Sequence, residues 1–335
     1  MRRRDFISAV VGAATVWPLA ARAQKSPEMR RLAIVHPSNP VTDLTESGNP
    51  RYVAFFKELR QLGYVEGQNV AVERYSGEGR TEHYAELASK VVGRNPDLIV
   101  TNTSRLVLNF KAATTTIPIV GLMADPVRFG IVESLARPGG NITGVSTDAG
   151  LEIWGKRLDL LREAVPGILK VGYLASRDVW EFPITIEVLQ GPAERMGISL
   201  IGPPLEGTLQ EQEYQRVFEA LAQSRPDALI VGDQAENLTY QRIIIDLAAK
   251  SGLPALYPYR EQAEAGGLMA YAPELLDLYR RAAGCVGEIL NGAKPSDIPI
   301  YLASKFELVI NLKTAKKLGL RISPSLLARA DEVIE

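Results

Sequence analysis

Tyr84, Leu87, Ala88, Val91 and Val92 fall at i, i+3, i+4, i+7 and i+8, the spacing that gathers side chains on one face of a helix. The same spacing recurs in Tyr214, Val217, Phe218, Leu221 and Ala222, each 130 positions later. Both predicted helices stop before a Pro-Asp pair, Pro96-Asp97 and Pro226-Asp227. An apolar run follows each, Leu98-Ile99-Val100 and Ala228-Leu229-Ile230-Val231, and reads as a parallel strand covered on both faces. The match extends outward. Leu32–Val35 and Val171–Leu174 read as first strands, Gly63 and Gly197 as left-handed helix ends, and Ile117–Val120 and Leu253–Leu256 as later strands. Strands alternating with helices predict βα units. The fold class expected is therefore α/β, two similar lobes with parallel sheets in tandem.

Ligands of open parallel sheets bind beyond the carboxyl ends of the strands, so two facing lobes predict a cleft lined by strand-to-helix turns. Those turns supply the candidate site. Ser38 and Ser176 follow the two first strands. Asn102, Thr103 and Ser104 open a helix whose N–H groups and dipole suit a carboxylate; capping of that helix is the equal alternative. Asp125 before Pro126 suits an N-cap, with ammonium recognition as its other reading. Asp148 and Asp233 precede no obvious capped helix and are the carboxylates left for an ammonium group, with Gln234 adding a neutral hydrogen bond. Tyr257 and Tyr271, with Tyr259, Trp180 and Phe182 near them, either pack the core or stack on a ligand side chain. Arg105, Arg177 and Arg260 would instead suit an anionic ligand or plain solvation.

The N-terminus is read apart from the fold. Arg2, Arg3 and Arg4 precede an uncharged run from Phe6 to Ala21, and Ala21-Arg22-Ala23 offers a cleavage site after Ala23. This is the pattern of an export signal, with Arg3-Arg4-Asp5-Phe6-Ile7 resembling the twin-arginine form. The run is shorter than a membrane span, so residues 1–23 are expected to be removed and the product to reside in the periplasm, without membrane insertion. Their loss takes away four arginines and one aspartate, moving the net charge from −1 to −4. That balance argues against a nucleic-acid partner. One cysteine and two histidines give no structural metal set, and no cofactor is expected. Nucleophile-elbow, Walker and dinucleotide fingerprints are missing from the sequence, so an enzyme is not expected.

Longer stretches carry a resemblance. Ala112–Val120, Asp125-Pro126-Val127, Ser134–Ser146 with its Arg137-Pro138-Gly139-Gly140-Asn141 core, Gly63–Val70 and Asn311–Ala315 together resemble the ABC-transporter substrate-binding proteins related to the tryptophan-binding protein TrpX. The resemblance spans nearly the whole chain after the leader. It departs at Asn102–Arg105 and at Ser176–Trp180, both presumed pocket positions. It implies a type I periplasmic-binding-protein architecture, a Venus flytrap with three hinge crossings. The lobes implied are 30–147 plus 277–303 and 148–276 plus 304–335. It also implies a monomer that delivers a small carboxylate-containing ligand, such as an aromatic amino acid, to an inner-membrane ABC permease. The alternative function is a periplasmic sensory protein for an aromatic or aliphatic acid, not coupled to uptake.

Overall fold

The computed structural model describes residues 29–147, 152–181, 183–207 and 210–335. The chain builds β1 (Arg30–His36), β2 (Val70–Ser76), β3 (Leu98–Asn102), β4 (Ile119–Met123) and β5 (Ile142–Ser146) in a first sheet. It crosses to a second sheet for β6 (Lys170–Leu174), β7 (Ser199–Ile201), β8 (Ala228–Val231), β9 (Ala255–Tyr257) and β10 (Met269–Pro273). It returns to the first for β11 (Tyr301–Leu302) and ends in the second with β12 (Phe306–Asn311) and β13 (Glu332–Ile334). The orders are β11-β5-β4-β3-β1-β2 and β13-β12-β10-β9-β8-β6-β7. Among the described residues every strand pairing in the two sheets is parallel except β10 with β12. Three passages between sheets make two lobes, each with an α/β core.

The uninterrupted apolar runs are explained by burial on both faces. Along β1, Leu32 and Ile34 pack into one cluster with Tyr52, Phe55 and Val286, while Ala33 and Val35 pack into another with Tyr84, Val91 and Phe110. Period-two alternation therefore serves two cores rather than one core and solvent. The second lobe repeats the arrangement around β6 and β8. Helix Leu275–Leu290, contributed late in the sequence, packs against helix Pro50–Gln61 in the first lobe.

The duplicated Pro-Asp pairs do the same work twice. Asp97 accepts from Arg31 N at 2.7 Å through its side chain, and its own N–H donates to Arg31 O. Asp227 accepts from Leu169 N and Lys170 N at 2.8 Å, and its N–H donates to Lys170 O. Each Asp thus clamps the first strand of its lobe beside the incoming third. The residues before the prolines, Asn95 and Arg225, both take φ 50°, the left-handed conformation that ends a helix. The Arg-Pro-Gly-Gly-Asn turn is a fastening of the same kind. Gly139 and Gly140 adopt positive φ, and Asn141 Nδ2 donates to Ile117 O at 2.7 Å, tying the entries of β4 and β5. One predicted regularity breaks: the helix expected before Gly197 is divided into short pieces around Pro183 and Gly191-Pro192, with a π-helical turn at Ile186–Gln190.

Candidate functional site

The carboxyl ends of β1 and β3 supply one wall of the cleft. His36 ends β1, 3% exposed, and its Nδ1 accepts from Ser38 N at 3.1 Å and Asn39 N at 2.7 Å. Nδ1 must therefore be bare, and burial together with the Arg51 charge pushes the imidazole pKa down to about 3. Asn102 ends β3. Its Nδ2 donates to Tyr279 Oη at 2.8 Å and its Oδ1 accepts from Tyr52 Oη at 3.4 Å. Tyr52 stands edge-on to His36 and to Tyr279, with ring centres 6.2 and 5.2 Å apart. Burial raises both phenol pKa values, so this wall is neutral, aromatic and rigidly bonded.

The opposite wall is aromatic around a buried cation. Arg157, 3% exposed, lies 4.7 Å from the Trp154 ring centre and donates from Nε to Tyr271 O at 3.1 Å. Tyr173 on β6 packs against Trp154 and Trp180 at 5.9 and 5.2 Å. Tyr271 on β10 stacks on Phe306 at 5.7 Å. Tyr259 donates to Asp233 O at 3.4 Å. Burial raises the phenol pKa of Tyr259, whose surroundings combine Asp233 and Arg157 of its own lobe with Arg51 and Tyr279 of the other.

The two walls meet. Arg51, 7% exposed, reaches from the first turn of helix Pro50–Gln61 to Glu261 at 2.6 Å and lies 5.4 Å from the Tyr259 ring centre. Arg128 pairs with Glu187 between the same lobes. A Cβ added at Gly79 would lie 2.5 Å from Thr239 Oγ1. Beside Arg51 and Glu261 a cavity of about 310 Å³ opens between the lobes. The structure is a closed cleft.

The residues singled out in the sequence are distributed unevenly around it. Ser38 lines the inter-lobe cavity, and Asn102 belongs to the Tyr52–Tyr279 network. Thr103, at φ 66°, caps Leu106 N at 3.5 Å. Ser104 uses its hydroxyl twice at 2.9 Å, toward Ala124 O and from Ala124 N, so that side chain fastens a neighbouring turn. Asp125 caps Arg128 N at 3.2 Å. Ser176 Oγ is enclosed with no hydrogen-bond partner. Asp233 is exposed beside Tyr259, and Gln234 Oε1 accepts from Asn237 Nδ2 at 3.2 Å. Tyr257 is 1% exposed inside the second lobe's core, whereas Tyr271 is half-buried. Arg177 pairs with Glu181 and Glu206, and Arg260 with Glu264, Glu307 and Glu332. Asp148, Phe182 and the leader with its Ala23 cleavage site lie outside the described residues.

Sequence reasoning passed over Arg51, Tyr52, Arg157 and Tyr279. A signal existed for three of them. Asn49 caps the helix and Pro50 begins it, which puts Arg51 and Tyr52 on its first turn beside the cleft. Arg157 interrupts the otherwise apolar face of Ile153, Leu160, Leu161 and Ala164, and a buried cation is expensive unless it has work to do.

Two facing α/β lobes that meet along a polar and aromatic seam define the type I periplasmic-binding-protein fold. The chain belongs to the ABC transporter substrate binding protein family, whose pattern residues 46–334 match. A "tyrosine-binding protein" of Clostridioides difficile is 25% identical over 268 residues, 80% of this chain and 76% of that one. A conserved domain protein of Vibrio cholerae has the same fold, with TM-score 0.81 and 24% identity over 91% of this chain and all of that one. An ABC domain from Streptococcus pneumonia, solved in complex with L-Trp, gives TM-score 0.80 and 24% identity over 92% of this chain and all of the other. The family consists of solute-binding proteins rather than enzymes. Among the described residues no helix is long and apolar enough to cross a membrane.

Proposed function

We propose that the protein is the exported receptor of an ABC importer. It captures one small carboxylate-containing ligand, an amino acid with an apolar or aromatic side chain, in the inter-lobe cleft and presents it to an inner-membrane permease. The observation that carries this reading is the second lobe's aromatic set of Trp154, Tyr173, Trp180 and Tyr271 around buried Arg157, with Tyr259 of the same lobe meeting Arg51 of the first. Flat rings suit an apolar or aromatic side chain, while charged groups at the same seam suit its polar end. The tyrosine and tryptophan named for the relatives support the same ligand class. The aromatic role passes from core-bound Tyr257 to Tyr259 and Tyr271. The start of helix Ser104–Ala113 contributes through backbone N–H groups, since its hydroxyls are engaged.

A thermal-shift screen of amino acids and their deaminated acids, followed by calorimetry, tests the reading. A single saturable site is expected, and Tyr271→Ala should weaken it ~10-fold, about 1.4 kcal/mol. Tyr271→Ala binding as tightly as the parent would remove the aromatic wall from the account. Export is tested separately, by the intact mass of periplasmic protein, which should begin at Gln24.

A further inference from the structure

We propose that Ser38, Arg51, Gln241 and Glu261 form a head-group subsite, completed by lobe closure, that reads the ammonium of the ligand together with its carboxylate. The inference deepens the proposed function and rests on it. Its starting point is the cavity of about 310 Å³ at the seam, whose walls come from both lobes: Ser38, Asp43 and Arg51 on one side, Thr239, Gln241 and Glu261 on the other. A pocket so built exists only while the lobes are together.

Charge decides what it takes. Among these six residues two carboxylates, Asp43 and Glu261, face one guanidinium, Arg51, and the adjacent His36 is neutral. A ligand bearing only a carboxylate would satisfy Arg51 and add a second uncompensated negative charge. A group carrying an ammonium beside its carboxylate leaves the balance unchanged and offers a partner to each sign.

The hydrogen-bond inventory points the same way. Arg51 meets Glu261 Oε1 through Nη2 at 2.6 Å. Around that pair, Arg51 Nε, Ser38 Oγ, Gln241 Oε1 and Glu261 Oε2 are enclosed without hydrogen-bond partners. Two are acceptors that require N–H, one is a donor that requires oxygen, and the serine hydroxyl serves either. Together they offer acceptors to an ammonium and an N–H to a carboxylate. The stack of Arg51 on Tyr259 joins the subsite to the aromatic wall, so head group and side chain are read contiguously.

Titration calorimetry with L-tyrosine and L-tryptophan, each beside its deaminated acid and its decarboxylated amine, tests the assignment. The parent should prefer the amino acid over the deaminated acid by ~10-fold or more. Glu261→Gln should shrink that preference. Gln241→Leu, which leaves the Arg51–Glu261 pair intact, should shrink it too. A variant that merely loosens closure would weaken all ligands alike and keep the ratio, which overturns the subsite. A parent that binds the deaminated acid as tightly as the amino acid also overturns it, while leaving the receptor reading standing. A parent that binds no amino acid of the thermal-shift screen removes the amino-acid reading and the subsite with it.

Discussion

His36 ionises far from its ordinary range. An unfolded histidine takes a proton near 6.5, whereas the buried His36, beside Arg51 and accepting two backbone N–H bonds at Nδ1, resists until about pH 3. Between those values the unfolded chain binds more protons than the folded one, so the contribution is intact above 6.5 and is lost as pH falls toward 3. His36→Gln, which keeps an acceptor near Ser38 N and Asn39 N, should lose less melting temperature than the parent between pH 6.5 and 4. Parallel losses would contradict the assignment. This residue's position was legible in the sequence, at a first-strand end. Its state was not, because that depends on Arg51 arriving from the next helix.

At the scale of elements, the duplication was the most readable feature, and its physical content lies in the two aspartates. Two backbone N–H groups hold the Asp227 carboxyl pKa below its usual 3.8, so its contribution is present above 3.8 and lost as pH falls through the depressed value. The group is exposed, and solvent replaces part of the interaction. Asp227→Ala should therefore cost about 1 kcal/mol, seen as a lower urea midpoint with an unchanged slope. An unchanged midpoint would show the clamp to be decorative. The broken segment before Gly197 was less legible. Helical periodicity gave its end, but Pro183 and Pro192 fragment it, and Trp180, which packs on Tyr173, sits at the first break. Ser104 shows the converse limit: its place at a helix start was clear, yet its hydroxyl is taken by Ala124, 20 positions away.

At the scale of the molecule, the strands shared by the two halves follow from repeats and apolar runs, whereas the sheets of β11 to β13 and the seam between lobes do not. Arg51 and Glu261 are 210 positions apart, and no local pattern links them; only the three passages between sheets bring them together. The Arg51–Glu261 and Arg128–Glu187 pairs and the close approach of Gly79 to Thr239 all join the two lobes, and an open form would lack them. A ligand bridging both walls binds the shut state better and shifts the population toward it. Small-angle X-ray scattering of the protein, alone and saturated with the amino acid that gives the largest thermal shift, measures this directly. The account predicts a smaller radius of gyration with ligand and a saturated curve that fits the closed coordinates. Identical curves with and without saturating ligand would contradict it.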